Sequence, residues 1–117
     1  MADDFKNNDW IVLQPNDADV PYSFTFTVCS SATANDGWVP NGDSVSICTV
    51  KCYALDDATD VSTSVVGTTS VSSNVVTVDL TYPTANGAGD YKLTLIPTYA
   101  SGTVGEADFK RIKAVDK

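Results

Sequence analysis

The sequence predicts an all-β domain. Val, Thr and Ser dominate, while Glu and Gln each occur once in 117 residues. β-Branched side chains suit a pleated, half-buried surface, whereas a helical domain carries more Glu, Gln, Leu and Lys. Apolar and polar residues alternate in several short runs, the period of a strand. Gly, Pro, Asn and Asp separate those runs at roughly every 10–15 residues, the turn spacing of a sandwich. Together these predict one domain over residues 1–117, an immunoglobulin-like β-sandwich of about seven antiparallel strands. A chain of this length buries a core without metal or disulfide staples.

Residues 1–20 read as an extended N-terminal arm whose one apolar patch, Trp10–Leu13, can form a short edge strand. Gln14–Asp17 is a turn. Over 22–28, Tyr22, Phe24, Phe26 and Val28 alternate with Ser23, Thr25 and Thr27, giving a half-buried strand. Residues 30–42 form a loop containing Asn-Asp-Gly and Asn-Gly turn signals. A second strand covers 43–54, with Val45, Ile47, Thr49, Lys51 and Tyr53 on one face. Asp56–Asp60 is a polar turn, and 61–69 a weaker strand that ends near Gly67. Over 74–82, Val76, Val78 and Leu80 share a face. Residues 83–89 are a tight loop. The strand at 90–99 places Tyr91, Leu93 and Leu95 together. A hairpin turn at 100–103 leads into a last strand over 104–115. Its apolar phase changes between Phe109 and Ile112, which predicts a β-bulge near Lys110 and Arg111.

The net charge is −8 and the predicted pI about 4.1. Phosphate contact needs Lys and Arg, so no nucleic-acid partner is expected. Acidity on this scale keeps a protein soluble and monomeric before assembly. The charge is uneven. Asp3, Asp4 and Asp9 lie near the start, and Lys110, Arg111, Lys113 and Lys117 crowd the end, which allows a head-to-tail or partner contact. No apolar run approaches the roughly 18 residues of a membrane span. Met1–Lys6 lacks the basic and apolar regions of a secretion signal, so export is not expected.

The odd count of cysteines, Cys29, Cys48 and Cys52, points to free thiols used as packing residues. Four residues of strand span about 13 Å, and a disulfide needs Cα atoms within about 7 Å. Cys48 and Cys52 therefore cannot bridge each other on a strand, although Cys29 could approach one of them.

The sequence contains no histidine. That removes histidine triads, Cys–His pairs and the usual zinc and copper sites, so the chain does not read as an enzyme and no cofactor or metal is expected. Asn16–Asp19 and Asp56–Asp60 have an alternating acidic look but lack the glycine and terminal Glu of a calcium loop, and ordinary turn formation explains them. Trp10 and Trp38 fall outside the clean strands. Each either caps one end of the core or anchors an interface.

One resemblance reaches further. Trp38-Val-Pro-Asn-Gly-Asp-Ser-Val45 is followed by Val71-Ser-Ser-Asn-Val-Val-Thr-Val-Asp-Leu80. A Gly-Ala-Gly loop, Asp-Tyr-Lys-Leu-Thr94, Ala-Ser-Gly102 and Glu106-Ala-Asp-Phe109 complete the pattern. Over residues 36–115 this resembles the small immunoglobulin-like virion proteins of tailed bacteriophages, of the fiber–tail adaptor type. Residues 57–70 depart from it by their extra Ser and Thr, and the N-terminal arm matches less well. The resemblance implies a structural protein made in the bacterial host cytoplasm and carried in the virion. It would join tail or neck to fiber or neighbouring ring proteins as a homo-oligomer. Trp10, Trp38, Lys110, Arg111 and Lys113 are the residues to examine as the partner interface. A capsid decoration protein and a carbohydrate- or calcium-binding module are the alternatives.

Overall fold

The computed structural model describes residues 10–116. Asp3, Asp4, Asp9 and Lys117 lie outside the described residues, as does the predicted arm before residue 10. Seven strands form: β1 Trp10–Leu13, β2 Val20–Thr25, β3 Val45–Ala54, β4 Val66–Ser72, β5 Val75–Leu80, β6 Gly89–Tyr99 and β7 Asp108–Ala114. One helical turn, α1 (Ser62–Val65), precedes β4. The strands make two packed sheets, ordered β1-β7-β6-β3 and β2-β5-β4. The chain crosses between them from β1 to β2, from β2 to β3, from β3 to β4 and from β5 to β6. That is the immunoglobulin-like arrangement. One pairing departs from the predicted antiparallel set: β1 runs parallel to β7, with Trp10 beside Arg111 and Leu13 beside Ala114.

The alternation in the sequence explains the core. Val76, Val78 and Leu80 of β5 face Leu93 and Leu95 of β6, and all five are fully buried. At about 25 cal/mol per Å² of apolar area, side chains of this size each contribute roughly 1.5–3 kcal/mol on burial. The loop before β6 is fixed by a tyrosine corner. Tyr91, at the start of that strand, donates its hydroxyl to the Gly87 carbonyl at 2.7 Å, a hallmark of immunoglobulin-like sandwiches.

Asn74 ties three strands together. With Ser73 it forms a two-residue β4–β5 turn with both φ angles positive, 51° and 65°, the geometry that matches strand twist in a hairpin. Its carbonyl accepts the Phe26 N–H at 2.9 Å and its Oδ1 accepts the Val45 N–H at 2.8 Å. The predicted strand therefore starts one residue later than the alternation suggested.

Three local expectations are corrected. The strand predicted over 61–69 opens instead with α1. Val61 and Val65 are four residues apart and both buried, so their spacing is that of a helical turn. Val28 does not share the buried face of Phe24 and Phe26, because β2 ends at Thr25 and Val28 is 38% exposed.

The predicted bulge near Lys110 and Arg111 is also absent. The β6–β7 register runs without interruption from Leu95↔Asp108 to Gly89↔Ala114. The apolar phase changes because Asp108 and Lys110 occupy inward positions and Phe109 an outward one. Asp108 is 4% exposed, and Lys110 Nζ lies 3.5 Å from its Oδ2. Lys110 also reaches toward the Phe24 ring, at 5.9 Å from the centroid. A charged pair thus stands in the inward row where alternation alone would place apolar groups. Register shifts occur elsewhere, between Val66 and Thr69 in the β4–β5 pair and at a β3 bulge between Val45 and Ile47. The β3 bulge turns Cys48, Val50, Cys52 and Ala54 inward and leaves Ile47 exposed.

The three thiols are free; Cys52 is buried, and Cys29 and Cys48 are half-buried. Burial pushes Cys48 up to about 11. Burial, with Asp60 nearby, pushes Cys52 up to about 12. In the unfolded chain a thiol ionises near pH 8.5. As pH rises, the unfolded state loses these protons first, so the stabilisation is complete below about pH 8.5 and disappears toward pH 11–12. At pH 10 the expected loss from Cys52 alone is about 2 kcal/mol. Burial raises Tyr22, Tyr91 and Tyr99 in the same direction. Urea midpoints at pH 7 and pH 10 test this. Cys52→Ala should lower stability at pH 7 and flatten the alkaline decline; an unchanged decline in that variant counts against the assignment.

Candidate functional site

The two outer faces differ in chemistry. On the three-stranded sheet the outward residues are mostly hydroxyls, and Ser23 and Thr77 meet across β2 and β5 at 3.1 Å. On the four-stranded sheet they are basic and apolar. Strand alternation and register build that second face row by row. Tyr53 pairs with Lys92, and Lys92 with Arg111. Lys51 pairs with Thr94, and Thr94 with Phe109. Asp90 pairs with Lys113, whose Nζ lies 4.0 Å from the Asp90 carboxylate.

The apolar part of this face is open. Ile47 is 59% exposed, and Val12 and Leu55 are each 46% exposed. Lys92 lies over the Phe109 ring at 4.9 Å, which holds the ammonium against the sheet. Two shallow clefts share Leu55 and Lys92. One, of about 160 Å³, runs along Phe109 and Arg111. The other, of about 410 Å³, lies between Tyr53 and Ala58.

The cations gather on one sheet, together with Asp90 and Asp108. Among the described residues the cations are Lys51, Lys92, Lys110, Arg111 and Lys113, all on β3, β6 or β7. Of these, Lys51, Lys92, Arg111 and Lys113 are on the outer face. The β1–β2 and β3–α1 loops, at one end of the sandwich, hold Asp17, Asp19, Asp56, Asp57 and Asp60. Several of these carboxylates order their own turns. Asp17 accepts the Gln14 N–H, Asp57 the Thr59 N–H and Asp60 the Ser62 N–H. Hydrogen bonds from Thr59 and Ser62 hold Asp57 and Asp60 below the usual carboxylate range. Among the described residues no three metal-ligating side chains come together, and no helix is long and apolar enough to cross a membrane.

The residues singled out from sequence separate into two groups. Arg111 and Lys113 are on the outer face. Trp10 is in register with Arg111 on β1, at the sheet edge. Trp38 and Lys110 are placed differently, Trp38 buried and Lys110 half-buried. Trp38 is 7% exposed and meets Phe26 edge-on, with centroids 5.8 Å apart. Its indole N–H donates to the Glu106 carbonyl at 2.9 Å, and its own carbonyl accepts the Tyr99 hydroxyl at 3.1 Å. It caps the core, the other role open to it from sequence. Lys110 is turned inward to Asp108. Sequence reasoning missed Lys51, Lys92, Ile47 and Phe109. Their polar–apolar alternation was visible, but no signal in the chain says that β6 is flanked by β3 and β7.

No family model matches this chain, and neither does any curated protein.

Proposed function

We propose that this domain is a structural adaptor of a tailed-bacteriophage virion, joining tail or neck to fiber or neighbouring ring proteins. Its contact surface is the outer face of the four-stranded sheet. The observation that carries the reading is the concentration of outward cations and exposed apolar side chains on that face, on a chain of net charge −8. Basic and apolar groups interleaved on a flat sheet suit recognition of another protein: the apolar part supplies buried area, and the charges supply orientation and on-rate. The virion setting rests on the resemblance over residues 36–115.

The test is quantitative mass spectrometry of purified particles produced by the phage or prophage that carries this gene. Roughly a dozen copies per particle are expected, as a tail or neck ring requires. Hundreds would make it a capsid decoration protein instead. Its absence from particles would reject the virion role.

A further inference from the structure

We propose that the open edge of β3 pairs with the same edge of a second copy of this chain, so that the four-stranded sheet continues across a two-fold axis. The contact uses the edge of the sheet rather than its outer face, and it does not depend on the virion setting.

The two sheets leave four edge strands, β1 and β3 in one and β2 and β4 in the other. Exposed edges invite pairing with another chain, and brevity, proline or irregularity blunts them. β1 has only four residues, β2 carries Pro21, and β4 carries Gly67 within a register shift. β3 is ten residues long. The chain itself covers the second half of its edge. The Val61 N–H donates to the Cys52 carbonyl at 2.9 Å, the Ala54 N–H to the Thr59 carbonyl at 2.8 Å, and the Cys52 N–H to the Ser62 Oγ at 2.8 Å. Cys52 and Ala54 therefore direct their main-chain groups away from β6. By the alternation of an antiparallel ladder, Cys48 and Val50 do the same. Cys48 stands opposite Pro97, which has no N–H to give. Among the described residues nothing bonds the main-chain N–H and C=O groups of Cys48 and Val50. From Ile47 to Val50 no charge, proline or glycine guards the edge.

Such groups accept an extended strand, and this edge complements itself. A two-fold axis at Thr49 sets Cys48 opposite the partner's Val50 and Val50 opposite the partner's Cys48, both as hydrogen-bonded pairs. These half-buried side chains then cover each other on the inward row. On the outer row Lys51, the one charge of β3, falls opposite the partner's Ile47 rather than the partner's Lys51. Its aliphatic stem covers an isoleucine that is 59% exposed in the single chain. The contact is isologous, so it closes at the dimer.

Sedimentation velocity of the full chain, from about 10 μM to about 1 mM in about 0.15 M salt, tests this. The sedimenting mass should double with concentration and go no further. Thr49 is exposed and points outward, so its substitution leaves the core untouched. Thr49→Lys and Thr49→Glu each set like charges opposite one another and should stay monomeric. Mixing the two should restore a heterodimer. Thr49→Cys places two thiols in a non-hydrogen-bonded pair, with Cα atoms about 4.5 Å apart, and should form a covalent dimer with oxidised glutathione. Lys51→Cys should not, because its two copies lie about 13 Å apart along the strands. The wild type, with the three native thiols, sets the background. Circular dichroism spectra matching the wild type establish that each variant is folded.

A wild type that stays monomeric throughout, or that assembles beyond the dimer, overturns the proposal. So does a folded Thr49→Lys variant that still dimerises, or a Lys51→Cys variant that cross-links as readily as Thr49→Cys. Loss of the virion role in the particle experiment leaves these outcomes unaffected, so the two can fail separately.

Discussion

Replacing Trp38 by alanine is expected to lower the unfolding free energy by about 3–5 kcal/mol, the range for removing a large buried aromatic. The side chain lies in a loop, yet it closes one end of the sandwich. The substitution removes the edge-on contact with Phe26 and opens a cavity beside it. It also removes the indole donor to the Glu106 carbonyl. The Tyr99 hydroxyl binds the Trp38 backbone, so that bond survives only if the loop holds its place. Gly105 is part of the same arrangement, since a Cβ there would strike the Tyr99 hydroxyl. For a domain of this size the loss corresponds to a fall in Tm of roughly 10–25 °C. Trp38→Phe keeps much of the buried ring and loses the hydrogen bond, so its cost should be nearer 1–2 kcal/mol, on the order of one lost buried bond. Urea denaturation of both variants measures this. A Trp38→Ala loss below about 1 kcal/mol, the range of surface substitutions, would remove Trp38 from the core.

The second large effect is expected at Gly37. A Cβ there would lie 2.6 Å from the Cys29 nitrogen, 2.6 Å from the Val28 carbonyl carbon and 2.9 Å from the Thr27 oxygen. All three are main-chain atoms, so no side chain can rotate away. The closeness has a purpose. Here the loop before β3 folds back on the end of β2, where the Trp38 and Val39 N–H groups both donate to the Thr27 carbonyl, at 2.6 Å and 2.8 Å. Gly37→Ala must push these segments apart, with an expected cost of about 3 kcal/mol or more, at the upper end for overpacking. Gly42→Ala is the comparison. Its φ of +84° disfavours a side chain, but nothing lies within 4 Å of the added Cβ. The expected cost there is only about 1–2 kcal/mol, the left-handed penalty alone. Equal losses at the two sites, measured by chemical denaturation, would refute the steric argument.

The residues show where sequence reasoning reaches and where it stops. Val76, Val78 and Leu80 and then Tyr91, Leu93 and Leu95 alternate cleanly, and both triplets are buried as their spacing predicts. Alternation fixes which side chains share a face, because the strand period is two. It fails at positions 108–112, since the inward row holds Asp108 and Lys110 and the pattern then resembles a shifted strand. It fails again at Val61 and Val65, where two apolar residues four apart fit a helical turn as well as a broken strand. The basic face could not be read at all. Its cations come from three strands far apart in sequence, and their gathering depends on sheet order, a non-local property. The basic residues near the C-terminus drew attention to Lys110, Arg111 and Lys113 together, but adjacent residues on a strand point to opposite faces, and Lys110 turns toward Asp108, half-buried.

The parallel pairing of β1 with β7 has a mechanical consequence. The chain runs in the same direction along both strands, from Trp10 to Leu13 and from Arg111 to Ala114. A tension applied through the two ends of the described chain pulls β1 backward and β7 forward along their common axis. The bonds joining them are therefore loaded in shear, sharing the force, rather than peeled open one after another. The Val115 N–H, bound to the Leu13 carbonyl at 3.0 Å, extends the same seam by one bond. A domain fastened in this way resists stretching along its length better than its thermodynamic stability alone would indicate.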